Sequence, residues 1–190
     1  MTTAQPTVVG TTAEAAEAAA RFVSPATRHL LTTEGLTTAL LESRAGGPMR
    51  MAHVGHRVVP PDQAPAEAVT LLGGGGPLVV RDSLIAGPAR RVWSANQVVG
   101  RLDLSAEAAA CLRGDALLGF ALRAAGIGRR RTLVEVGRCP WPLAVPKGPV
   151  PPAAFRRYVI WHGDDEALAV VREVFNPSLV EAGWAEGAHP

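Results

Sequence analysis

Two charged side chains interrupt apolar runs in a way that invites chemistry. One is Arg81, within Pro77-Leu-Val-Val-Arg81-Asp-Ser-Leu-Ile85; the other is Glu173, within Ala167-Leu-Ala-Val-Val-Arg-Glu173-Val-Phe175. Both runs read as β-strands, on which side chains alternate between faces. In the second run Ala169, Val171, Glu173 and Phe175 share one face, and Leu168, Val170, Arg172 and Val174 share the other. Each face carries one charge, so whichever meets the core takes a charge inward. Burying a charge is costly unless it is paired or changes protonation state, and such groups concentrate where chemistry happens. Arg81 lies with Val79, Ser83 and Ile85. Its planar fork of donors suits a carboxylate. A glutamate among apolar neighbours has its pKa raised and can deliver a proton near neutral pH. The plainer alternatives are a solvated face at Glu173, or a structural salt bridge between the two groups.

Other candidate chemistry is weaker. His53 and His56 point to opposite faces of one strand and cannot share a metal. Gly73 to Gly76 lacks the following Lys-Ser/Thr and helix of a phosphate loop. No Gly-x-Ser-x-Gly or Cys-His-Asn pattern is present. Cys111 and Cys139 lack metal-ligand spacing and read as free thiols, Cys111 buried on a helix. Arg129-Arg-Arg131 reads as a solvated strand end, and Arg156-Arg157 as a structural surface pair ahead of support for a pocket.

The elements that must position Arg81 and Glu173 follow in chain order. Residues 1–10 read as a loose tail. Thr11 with Glu14 fits a capping box before an Ala-rich helix over 12–23, and Ser24-Pro25 starts a second helix. After a turn at Gly35, Leu36, Leu40 and Leu41 mark a short amphipathic helix. Strands are expected over 49–59, 77–87, 91–99, 129–138, 155–161 and 166–175. Short helices are expected over 62–72, 105–112 and 115–125. The 139–152 stretch is a Pro-rich crossing loop, and 179–190 is a tail. Hairpin-type connections dominate, which predicts an α+β domain over 11–178 with a six-stranded antiparallel sheet. No internal repeat is evident.

With 47% hydrophobic and 19% charged residues, the composition is that of a folded core and not of a disordered chain. A net charge of +2 without a long basic run argues against a nucleic-acid partner. The start has no signal-peptide pattern, and no run of eighteen apolar residues predicts a membrane span. The expected setting is cytoplasmic, with no membrane contact, as a monomer or homodimer.

The order of several short motifs then matters: Leu30-Leu-Thr-Thr-Glu-Gly-Leu36-Thr, the Arg81 strand, Leu117-Leu118-Gly119, Val134-Glu-Val-Gly-Arg138, Arg157-Tyr158 before a hairpin, and Arg172-Glu173-Val-Phe. Over roughly residues 28–178 this resembles the chorismate pyruvate-lyase family, including its compact actinobacterial branch. The resemblance implies helices on one side of the six-stranded antiparallel sheet and helical flaps over an internal cavity. It implies elimination of pyruvate from chorismate to give 4-hydroxybenzoate, without metal or cofactor. Arg81 and Glu173 take the catalytic positions, Arg81 also holding the substrate carboxylate and Glu173 supplying the proton. Leu36, Leu118 and Gly119 fall on the flaps that close over the ring. One departure stands in the binding set: Asn96 occupies a position where the better-known branch carries arginine.

Three functions are therefore carried forward. The leading expectation is a carbon–oxygen lyase acting on a chorismate-like carboxylate. The second is another enzyme on this scaffold, from a secondary-metabolite pathway, acting on a different carboxylate or a polyketide-like ligand. The third is a non-catalytic small-molecule-binding module of the kind that serves transcription regulators.

Overall fold

The structure, a computed structural model, describes residues 12–128, 130–144 and 151–185. Its centre is a six-stranded, wholly antiparallel sheet. The strands are β1 (Arg50–Val59), β2 (Leu78–Ala86), β3 (Val92–Arg101), β4 (Arg131–Pro140), β5 (Pro152–His162) and β6 (Glu166–Phe175), in the order β1-β2-β3-β6-β5-β4. The helices are α1 (Thr12–Ala20), α2 (Pro25–Thr32), α3 (Thr37–Ala45), α4 (Ala66–Leu72), α5 (Ala106–Arg113) and α6 (Leu118–Ala124). The α+β class and six-stranded sheet are those expected.

Local signals explain where the helices start. Ser24 caps α2 by accepting from the Thr27 amide, with Pro25 in the first helical position. Ser105 caps α5 in the same way through the Ala108 amide. On one sheet face, α5 and α6 bury Leu112, Leu118 and Leu122 against Val79, Val98, Ile160 and Val171. Beside them, Leu30, Leu31 and Leu41 of α2 and α3 pack with Phe175 and Ala154. Helix α4 is different: Leu71 and Leu72 pack with Val80, Val99, Val159 and Val170 on the opposite face. The helices are therefore concentrated on one side but not confined to it.

The sheet is built twice. Helix α3 followed by β1-β2-β3 and helix α6 followed by β4-β5-β6 occupy equivalent places, and β3 pairs with β6 at the centre. Gln97 lies opposite Arg172. A half-turn about that pair takes Val98 onto Glu173, and takes Arg81, which is opposite Val98, onto Arg156, which is opposite Glu173. Identical pairs between the halves are few and scattered, such as Ile85 with Ile160 and Val99 with Val174, so no repeat is legible in the sequence.

Three further expectations are corrected. The Pro-rich 139–152 stretch is partly strand, with Cys139 opposite Ala153 and Pro140 opposite Pro152; positions 145–150 lie outside the described residues. The segment after β6, read as a tail, buries Val180 and Ala182, and Trp184 bridges to Phe22. Cys111 is half-buried, not buried. The expected tail over 1–10 and the Thr11 cap lie outside the described residues.

Candidate functional site

Arg81, Asn96 and Glu173 project from the central strands β2, β3 and β6 into one cavity of about 50 Å³ under α3 and α6. Leu36, Leu118 and Gly119 line it from the helix side. All six site residues singled out from sequence thus border a single space. Leu36 precedes α3 and Gly119 lies in the first turn of α6. A Cβ added at Gly119 would stand 2.9 Å from Leu36 Cδ2, so the two helix starts touch across the mouth.

The polar partners differ from expectation. Glu173, 7% exposed, does not pair with Arg81. Its Oε2 accepts from Arg156 Nε at 2.7 Å and from the Thr37 hydroxyl at 2.9 Å, and its Oε1 accepts from the Tyr158 hydroxyl at 3.4 Å. Arg156 is 1% exposed and also donates to the carbonyls of Leu30 and Thr33 and to Thr37 Oγ1. Burial works against the Arg156 charge, but Glu173 and then Tyr158 outweigh it and its pKa moves up. Burial, then Glu173, pushes the Tyr158 phenol up as well. This ion pair ties the end of α2 and the start of α3 to the middle of the sheet.

Arg81 is the contrasting case. It is 1% exposed, donates from Nη2 to the Ala116 carbonyl at 2.6 Å, and leaves Nε without a partner. Among the described residues no carboxylate forms a salt bridge with it. Burial lowers its pKa, with Asp115 opposing from a distance. In the repeat, the place that holds Glu173 beside Arg156 holds Val98 beside Arg81. One arginine has its carboxylate built in; the other has an apolar side chain, Val98, in that position.

Two residues were missed. Arg156, read as surface, is the buried counter-ion of Glu173. The reason is a β-bulge between Ile160 and Trp161. Counting back from the Gly163 hairpin without it would put Arg157 on the Glu173 face, since a one-residue slip exchanges faces. The bulge brings Arg156 opposite Glu173 and sends Arg157 outward to Glu67 and Glu135. Arg131, read as a solvated strand end, lines the cavity and donates to the Gly35 carbonyl at 2.7 Å. It stands beside Leu36 and Gly119 at the mouth. Its neighbour Arg129 lies outside the described residues.

The contact at the mouth yields a test. Gly119→Ala should wedge the two helix starts apart at a cost of about 1 kcal/mol. Hydrogen exchange at the first turn of α3 should quicken; unchanged exchange would mean that the Leu36–Gly119 contact does not hold the cavity shut.

This architecture, a doubled three-strand unit with a cavity between sheet and helix starts, is the chorismate lyase-like fold. No family model matches the chain, and no curated protein matches it significantly. Solved structures do match. PhnF from Mycobacterium smegmatis has a TM-score of 0.57 at 13% identity, over 82% of this chain and 69% of that one. The effector domain of PhnF gives 0.52 at 11% identity, over 77% and 91%. The ligand-binding domain of a putative GntR-family transcriptional regulator from Bordetella bronchiseptica gives 0.50 at 15% identity, over 74% and 88%. Likeness at these identities is one of fold.

The expectation of a carbon–oxygen lyase is corrected by these neighbours, which are described as regulator, effector and ligand-binding structures. The carboxylate assigned to proton delivery accepts hydrogen bonds from Arg156, Thr37 and Tyr158. A small-molecule partner is consistent with such neighbours. The expected absence of a nucleic-acid partner does not follow from them, since one is a domain of a putative transcriptional regulator. Among the described residues no helix is long and apolar enough to cross a membrane.

Proposed function

We propose that the chain is a non-catalytic binding module for a small acidic molecule, serving as an effector-sensing unit as its structural neighbours do. The observation that carries this reading is Arg81: a buried guanidinium with an unpartnered Nε, facing a cavity, where the equivalent arginine of the other half has a glutamate. An unpaired buried charge is costly, and a carboxylate or similar anion arriving at Nε would relieve that cost by charge-assisted hydrogen bonds. The apolar lining of Ile85, Val98, Leu118, Ile160 and Val171 would take the carbon skeleton.

The cavity is small beside typical ligand sites of about 300–1,000 Å³. Binding therefore either selects a compact acid or parts Leu36 from Gly119. Movement of α3 and α6 on binding is the signal such a module would transmit. Calorimetric titration with benzoate and related acids should show saturable one-to-one binding, with the acid recovered unchanged. Chorismate incubated with the protein should yield no 4-hydroxybenzoate. Turnover of chorismate, or no binding of any small acid, would reject the reading.

A further inference from the structure

The class of acid can be narrowed from a second orphaned atom; the step rests on the binding reading above. Asn96 is 8% exposed, and its Oδ1 has no hydrogen-bond partner. Its Nδ2 donates to Ser94 Oγ at 3.2 Å, and its oxygen is left without a donor. Buried side-chain acceptors are almost always satisfied, so each exception calls for a physical reason. Here Asn96 and Arg81, which carry these two orphaned atoms, line the same cavity.

Their placement is set by the sheet. Arg81 is opposite Val98 and Ser83 is opposite Asn96, so Arg81 and Asn96 are diagonal neighbours on one face. Diagonal positions are about 7–8 Å apart at the backbone, and both side chains reach inward from there. One compact molecule can therefore touch both. We propose that the ligand is a small hydroxy acid: its acidic group takes Arg81 Nε, and a hydroxyl a few bonds away donates to Asn96 Oδ1. A plain acid would leave Asn96 orphaned. An ether in the same place would set acceptor against acceptor. Asn96 is thus the specificity-determining residue, its free oxygen reading a hydrogen-bond donor.

The test is a set of calorimetric affinities for the wild-type chain. The probes are lactate against propionate, and the three monohydroxybenzoates against benzoate and the matching methoxybenzoates. At least one hydroxy acid should bind about tenfold more tightly or better than both its deoxy and its methoxy counterparts, a tenfold change being about 1.4 kcal/mol. In Asn96→Ala that ratio should fall towards one while binding of the deoxy acid is kept. The wild-type ratios stand even if the variant does not fold. Equal affinity for hydroxy and deoxy acids, tighter binding of the methoxy acid, or a ratio unchanged in Asn96→Ala would overturn the proposal. Arg81-dependent binding with no hydroxyl preference would sink this proposal alone; no Arg81-dependent binding of any probe would remove the binding reading with it.

Discussion

Arg156→Met is expected to cost the folded chain about 3–5 kcal/mol, because it leaves Glu173 buried without its counter-ion. That is a large share of the 5–15 kcal/mol typical of a domain. The loss also frees the Leu30 and Thr33 carbonyls and releases Thr37, so the end of α2 and the start of α3 lose their tie to the sheet. Urea unfolding should show a much lower midpoint with an unchanged slope. Adding Glu173→Leu should recover part of the loss, since replacing both members of a buried pair by apolar groups is often neutral or better. Recovery should stay incomplete, because the carbonyls and the Tyr158 and Thr37 hydroxyls remain without their partners. A single-variant loss below about 1 kcal/mol would mean the pair is far better solvated than its burial indicates.

Arg81→Met should act in opposite directions on stability and binding. Without ligand, it removes an unpaired buried charge and should stabilise the fold by about 1–2 kcal/mol, less whatever the Ala116 carbonyl loses. With ligand, it removes the charged donor and should weaken binding of a small acid by about 100-fold, as expected for charge-assisted hydrogen bonds of about 1.5–3 kcal/mol. Thermal unfolding with and without benzoate separates the two effects. Wild type should gain stability with ligand concentration and the variant should not. The same change at the equivalent arginine, Arg156→Met, should only destabilise. That contrast between two residues related by the fold's own symmetry distinguishes a receptor from a structural clamp. A destabilised Arg81→Met in the absence of ligand would indicate that Arg81 already has its partner.

The strands and most helices were legible because alternation and caps are local signals. Ser24-Pro25, Ser105 and the Val-rich β6 each announce an element without help from the rest of the chain. Arg81 and Glu173 could be picked out because a charge inside an apolar run stands against a simple background. Their mutual relation could not. Which arginine meets Glu173 depends on register, and register here turns on one bulge at Ile160/Trp161 that no residue type marks. Arg131 was misread for a related reason: a strand-end arginine is solvated by default, and only the meeting of two helix starts above it makes it a cavity residue. The doubling of the fold was hidden because the equivalent strands 78–86 and 153–161 share only Arg81/Arg156 and Ile85/Ile160. The structural salt bridge considered between Arg81 and Glu173 failed at that same point, since Glu173 accepts from Arg156, Thr37 and Tyr158.

A crystal structure of the protein saturated with benzoate bears most directly on the difference between the two arginines. The carboxylate oxygens should lie within hydrogen-bonding distance of Arg81 Nε, with Glu173 still held by Arg156 and Leu36 displaced from Gly119. Benzoate bound elsewhere, or Glu173 turned away from Arg156 to face Arg81, would contradict the assignment of Arg81 as the open half of the pair.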